Sequence, residues 1–166
     1  MRTLTVRGYL ALFGLVALLV AGVGVVGAQA QERTVRHAVG TFEVEMTPGD
    51  PESVDAGLGL SRYLLTKTFT GGLTGSGVGQ MLAGGPAGTQ TTGTYVALER
   101  VVGTLDGRQG GFILAHRGDM DPAGYSLSIT VVPNSGTGEL VGIAGEFVLT
   151  ITDDGVHHYD LAYSLP

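Results

Sequence analysis

From Arg33 onward apolar and polar residues alternate with a period of two, and glycine-containing turns interrupt the alternation. Such a pattern gives strands with two unlike faces. Val35–Met46, Ser61–Thr70, Leu73–Ala83, Thr91–Leu105, Arg108–Arg117, Tyr125–Val132, Glu146–Thr152 and Val156–Leu165 read as strands, being rich in Val, Thr, Tyr, Phe and Ile. Gly71-Gly72, Asp106-Gly107 and Asp154-Gly155 lie between successive members of this series and supply the positive φ that tight hairpins need. Thr47–Gly59, with Pro48 and Pro51 among acids and glycines, predicts a loop over a rim, and Gly84–Gln90 a second. No stretch beyond Arg33 carries an apolar stripe of helical period longer than two turns, and Gly138–Ala144 is the best candidate for a short helical turn. Eight short-linked strands predict an all-β fold, a small closed antiparallel barrel, because closure removes exposed sheet edges. A two-sheet sandwich is the alternative.

The first thirty residues follow a different rule. Arg2 and Arg7 precede a run from Tyr9 to Ala28 without a charge, which ends in Ala28-Gln29-Ala30. A basic start, an apolar centre and a small-x-small ending predict a secretory signal peptide over 1–30, leaving 31–166 as the mature domain, secreted or held in the cell envelope. The membrane is then met only through the signal segment before cleavage. A retained anchor is the alternative, since the run is long enough to span a bilayer.

Composition narrows the remaining classes. The chain has 166 residues with 29 Gly, no Cys, 43% hydrophobic and 14% charged residues. The missing thiols exclude a disulfide framework, a zinc ribbon and a lipid-modified cysteine, and the hydrophobic fraction excludes charge-driven disorder. Formal charge is −6 overall, and loss of residues 1–30 would remove two arginines and no acid. A surface this acidic, with its bases scattered, is not a nucleic-acid partner.

The Asp106-Gly107 turn fixes one register. A two-residue turn sets Leu105 opposite Arg108, so Val101 faces Phe112, Glu99 faces Leu114, Ala97 faces His116 and Tyr95 faces Gly118, all on one side. Glu99 and Tyr95 are each diagonal to His116, about 7–8 Å between backbones. This side therefore gathers a carboxylate, an imidazole and a phenol among apolar neighbours, which suits the interior of a ligand-binding barrel. Burial would push Glu99 toward its neutral form and pairing with His116 would restore its charge, so that the pair could pass a proton. The plainer reading is that Glu99 and His116 merely satisfy each other in a core, or that a slipped register brings Arg100 or Arg117 to Glu99. The opposite side carries Val96, Leu98, Arg100, Val102, Ile113, Ala115 and Arg117, apolar enough to need a cover of loops or of another subunit.

Other features carry less. The last hairpin allows two registers: one sets Glu146 opposite Tyr163 and Thr150 opposite Tyr159, the other sets Glu146, Val148 and Thr150 on a face with His158, Asp160 and Ala162. Tyr159 and Tyr163 share a face in either. Adjacent His157 and His158 point to opposite faces and do not make a metal site. His37 shares a strand face with Glu43 and Glu45, too far along it to chelate. Gly75, Gly77 and Gly79 alternate with Ser76, Val78 and Gln80; no helix follows to cradle phosphate, and such glycines let a strand curve or another group come close.

Several stretches in combination resemble one family. These are His37–Val44, Thr66–Gly71, Leu98–Leu105, Gly107-Arg108 with Gly111–His116 and Gly118, and Val131–Glu146. They look like the bacterial family DUF3224, over about His37 to Leu165. The last stretch also resembles the Gly-x-Gly-x-Phe-x-Gly-x-x-Gly segment of allene oxide cyclases and dirigent proteins, with Leu140 where those carry an aromatic residue. The resemblance implies an eight-stranded allene oxide cyclase-like barrel, commonly a homotrimer, with a hydrophobic cavity open at one end. Relatives with known chemistry use no cofactor and no metal, and the small barrel that demethylates the phenazine pyocyanin is of the same general kind.

Taken together, these features predict a secreted, cofactor-free barrel enzyme that isomerises, cyclises or tautomerises a small hydrophobic or aromatic conjugated molecule, for example a phenazine. Glu99 and His116 are the expected catalytic residues, and Tyr95, Phe112, Tyr159 and Tyr163 the expected ligand-binding wall. A lipocalin-like binding protein, in which the pair only anchors the ligand, and a structural envelope protein with a filled barrel are the alternatives.

Overall fold

A computed structural model describes residues 33–49, 59–86 and 92–166 of the chain. The expected signal peptide and most of the two expected rim loops lie outside the described residues. The strands are β1 (Arg36–Pro48), β2 (Leu60–Gly71), β3 (Leu73–Gly84), β4 (Gly93–Leu105), β5 (Arg108–Asp121), β6 (Gly124–Val131), β7 (Thr137–Gly138), β8 (Ala144–Ile151) and β9 (His157–Ser164). All pairings are antiparallel, in the order β4-β3-β2-β1-β9-β8-β6-β5-β7, and a further β4–β5 pairing closes the sheet. The result is the predicted all-β barrel of eight long strands, with two-residue β7 added beside β5. The expected helical turn at Gly138–Ala144 does not form. Gly138 and Gly142 take φ of 61° and 80°, and the Leu140 and Ile143 amides donate to carbonyls three residues back, at Thr137 and Leu140, so two consecutive turns replace it.

The β4–β5 register is the one set by Asp106-Gly107. Both turn residues have positive φ, 46° and 84°, as a type I′ hairpin requires. Ala97 faces His116, Glu99 faces Leu114 and Tyr95 faces Gly118. In the last hairpin the structure selects the second of the two registers: Glu146 pairs with Ala162, Val148 with Asp160 and Thr150 with His158. That choice sets the buried row Phe147, Tyr159, Leu161 and Tyr163 inside and the polar row outside. The loop after Ile151 folds on itself, with the Gly155 amide on the Thr152 carbonyl at 2.8 Å.

The barrel has two different ends. At the end where the Gly71–Leu73 and Asp106–Gly107 turns lie, Ala38, Leu73, Leu105, Leu140, Ile143 and Tyr163 are buried together. Two phenols tie this plug. Tyr163 Oη donates to Asp106 Oδ2 at 2.7 Å, and Tyr159 Oη accepts from the Leu73 amide at 2.8 Å while it can donate to the Thr70 or Leu73 carbonyl. Burial raises both phenols' pKa, with the Asp106 contact adding to it at Tyr163. Toward the other end the inward rows finish in Tyr63, Met81, Tyr95 and Leu127, which are only half-buried, and in exposed Met46. Here Tyr95 lies across Gly118, where a side chain would collide with its ring, and its hydroxyl meets that of Tyr125 at 3.2 Å.

The outer surface is also divided. Over β3 and β4 five large apolar residues, Val78, Leu82, Val96, Leu98 and Val102, stay exposed, Leu98 by 60%, interspersed with Thr74, Ser76, Gln80 and Arg100. Among the described residues no loop covers this face. On β1, β2 and β9 the outward positions are mainly polar, among them Thr41, Glu43, Thr68, Thr70, His158 and Asp160, with Val39 and Leu64 exposed between them.

The Tyr159 hydroxyl gives one test of this packing. Tyr159→Phe leaves the buried Leu73 amide without its partner and should cost about 1–3 kcal/mol in denaturant unfolding. A loss below about 0.5 kcal/mol, the range of neutral surface substitutions, would contradict the plug described above.

Candidate functional site

Three strands bring charge into the interior by the same alternation that builds the core. On β4 the inward row is Tyr95, Ala97, Glu99, Val101; on β5 it is Phe112, Leu114, His116, Gly118; on β2 it is Tyr63, Leu65, Lys67, Phe69. Glu99 is fully buried, and Lys67 and His116 are each only 6% exposed. Among the described residues these are the buried charged or ionisable side chains other than tyrosines.

Lys67 and Glu99 are two strands apart, with β3 between them. They meet because β3 presents Gly77, whose missing side chain leaves room for the carboxylate: a Cβ there would collide with Glu99 Oε1. Lys67 Nζ donates to Glu99 Oε2 at 2.7 Å. His116 Nε2 lies 3.1 Å from the same oxygen without forming a full hydrogen bond. Oε2 therefore serves two nitrogens, whereas Oε1 and His116 Nε2 are buried without a well-formed bond among the described residues. Rings surround the ammonium, with the Phe42 centroid at 4.7 Å, Phe69 at 5.9 Å and Phe147 at 6.0 Å, close enough for cation–π attraction. Phe147 in turn stacks on Tyr159 at 5.2 Å.

The electrostatics follow from these distances. Burial opposes ionisation of Glu99, and the contacts with His116 and the Lys67 charge outweigh it, holding the carboxyl below the ordinary glutamate range. Tyr95 is pushed well up by burial and by its Tyr125 contact, so it stays a neutral phenol. Glu99 is thus held as an anion, and its Oε1 and the His116 Nε2 are the buried atoms of the cluster without a well-formed partner among the described residues.

The expected site residues divide accordingly. Glu99 and His116 come together as the hairpin register predicts. Tyr95 stands toward the half-buried end. Phe112, Tyr159 and Tyr163 all point inward, but Phe112 and Tyr163 belong to the densely packed half, and the Tyr159 and Tyr163 hydroxyls are occupied by Leu73 and Asp106. Arg100 and Arg117 are outside, where Arg117 pairs with Asp119 at 3.0 Å. Lys67 is the residue that sequence reasoning missed. Its signal was present: Leu65 and Phe69 flank it at even spacing, with Thr66, Thr68 and Thr70 on the other side, so a lysine stands in an apolar row. His157 turns inward beside Phe42, ring centroids 5.1 Å apart, and His158 turns out, as adjacent strand positions must. His37 is exposed and meets Asp160 of β9 at 2.8 Å. Among the described residues no group of three His, Cys, Asp or Glu is arranged to hold a metal ion.

The family model described as a protein of unknown function, DUF3224, matches residues 38–163. The chain belongs to the DUF3224 family. The matched region runs from β1 into β9 and contains Lys67, Gly77, Glu99 and His116. Among solved structures it is similar to a protein with unknown function from the DUF3224 family of Shewanella oneidensis MR-1, at 38% identity and a TM-score of 0.71, covering 80% of this chain and 99% of that one. No curated protein matches. The resemblance carried by the five sequence stretches is therefore borne out at the level of family and barrel.

The ion pair makes a prediction for this DUF3224 barrel. Lys67→Met alone strands a buried carboxylate and should cost about 3–5 kcal/mol, whereas Lys67→Met with Glu99→Gln should recover most of that loss. The pH dependence has a definite sign. Because folding lowers the Glu99 pKa, its contribution is complete above the ordinary value of about 4.3 and disappears as pH falls through the folded-state value. Unfolding measured from pH 7 downward should show a shallower acid loss in the double variant than in the wild type; equal slopes would contradict the assignment.

Proposed function

We propose that this DUF3224 protein is a secreted, cofactor-independent enzyme that moves a proton within a small apolar, conjugated or aromatic molecule held in its barrel. The observation that carries this reading is the buried Glu99–His116 pair, in which a carboxylate kept anionic sits against an imidazole whose Nε2 lacks a well-formed partner. Buried polar atoms are rarely left so, and a ligand group would complete them. In this reading Glu99, against Nε2, stabilises the protonated imidazole, and His116 takes the proton at its other ring nitrogen, Nδ1, and returns it at another position, giving isomerisation, tautomerisation or cyclisation. The ligand passes the half-buried end of Tyr63, Met81 and Tyr95, and aromatic rings wall its planar body. A phenazine such as pyocyanin is the concrete candidate. The residues before Arg33, with their basic start and Ala-x-Ala ending, support export.

A second reading is favoured by the 2.7 Å Lys67–Glu99 pair, which commits one carboxylate oxygen before any ligand arrives. On that reading the cluster anchors a polar end and the barrel is a carrier. The two separate by solvent deuterium exchange. With a phenazine bound, as followed by its absorbance, the enzyme reading expects catalysed exchange at the ligand, and His116→Ala should slow it by about 100-fold or more with a much smaller change in Kd. Exchange no faster with the wild-type protein than without protein identifies a carrier.

The partner is a further copy of the chain. We propose a homotrimer that covers the outward apolar face of Val78, Leu82, Val96, Leu98 and Val102, which no described loop protects. Leu98→Asp at its centre should convert the assembly to monomer in sedimentation or light scattering. A wild type that sediments as a monomer at all concentrations removes this part of the proposal.

A further inference from the structure

Lys67 lies in the site just proposed, and that function does not yet use it. An ammonium has three N–H donors, and only one meets an oxygen, Glu99 Oε2; the rest of its surroundings are the faces of Phe42, Phe69 and Phe147. Lysine is a strongly hydrated point charge, so a buried one with a single oxygen partner is incompletely satisfied. The charge balance points the same way. Lys67, Glu99 and His116 are the ionisable groups that face one another here, and a neutral imidazole leaves the three with no net charge. When the imidazole gains a proton, two cations confront one carboxylate, and a new anion on the ligand would restore the balance.

We infer that Lys67 is the oxyanion-binding residue of this site, and that the substrate is a neutral conjugated carbonyl compound or hydroxyaromatic whose oxygen becomes negative when His116 removes its proton. This rests on the proton-transfer reading of Glu99 and His116. For a conjugated ketone the step balances without any co-reactant. His116 takes the proton from the γ-carbon, the freed electron pair becomes the β–γ double bond, the α–β pair shifts to join the α-carbon to the carbonyl carbon, and the carbonyl pair moves to oxygen as a dienolate held by the Lys67 ammonium. The dienolate then collapses, the protonated imidazole delivers the same proton to the α-carbon, and the β,γ-unsaturated isomer leaves. A permanent carboxylate is the poorer ligand, because it faces Glu99 as well as Lys67 and no proton need move to create its charge. The fixed ammonium is worth most in the transition state, where the oxygen's charge develops, in a site from which water is largely excluded.

The test uses 4-nitrophenol, whose phenolate and phenol absorb at different wavelengths. Bound to the wild-type protein at fixed pH, its ratio of phenolate to phenol should exceed that of the free dye by about tenfold or more, as a close ammonium favours the anion. Because Lys67→Met alone risks failing to fold, the comparison is Lys67→Met with Glu99→Gln, which removes both charges. It should bind the dye with the phenolate ratio returned to that of free dye, while His116→Ala should retain an excess of phenolate. If wild type and double variant bind the dye with the same ratio, the assignment of Lys67 is overturned and the proton-transfer reading stands on His116 alone. If the wild type binds neither 4-nitrophenol nor a phenazine, the interior ligand site itself is overturned, and this inference with it.

Discussion

The ion pair between Lys67 and Glu99 is the interaction on which the interior of this barrel depends. Two opposite charges buried among phenylalanines are expensive to desolvate, and they persist only where geometry is close and no partner is lost. Here the geometry is made by a vacancy. Gly77 on β3 removes the side chain that would separate β2 from β4, so a lysine and a glutamate two strands apart touch across it. Phe42, Phe69 and Phe147, the last stacked on Tyr159, then close round the ammonium, and the fold and the charge hold each other in place.

This arrangement also changes how the Glu99–His116 pair works. Two groups sharing a proton need comparable affinities for it. The ammonium at 2.7 Å breaks that symmetry by helping to hold the carboxyl ionised, which is why the proposed reaction makes the imidazole its base. In the proposed function this makes the carboxylate the supporting group and the histidine the one that transfers the proton. In the inferred reaction the same ammonium also faces the ligand oxygen on which charge develops, so one lysine would serve both the core and its chemistry.

Much of this was legible in the sequence where local chemistry dictates geometry. Asp106-Gly107 permits one tight hairpin, and from it the facing of Tyr95, Ala97, Glu99 and Val101 follows residue by residue. Long-range contacts were not legible. The partner of Glu99 lies on a strand it does not pair with, and a pairwise reading of hairpins cannot reach across β3. The last hairpin was ambiguous because its Thr152–Val156 loop is longer than the Asp154-Gly155 signal implies, and the buried faces of Phe147 and Leu161 decide the register. At 138–144, spacing alone suggested a helical turn, but glycines at positive φ break it into two turns that carry Leu140 and Ile143 into the plug. The glycine excess has the same origin in part: Gly77 and Gly118 are inward positions where a neighbour's large side chain occupies the space.

The central claim is that the buried cluster meets a ligand and is more than a self-satisfied core. The most direct measurement is the nitrogen-15 spectrum of the four histidine imidazoles while a phenazine is added. The account predicts that the His116 resonances move with the ligand's saturation curve, while those of His37 and His158 on the outer face stay where they were. Saturation of the protein with no change at His116 would contradict it.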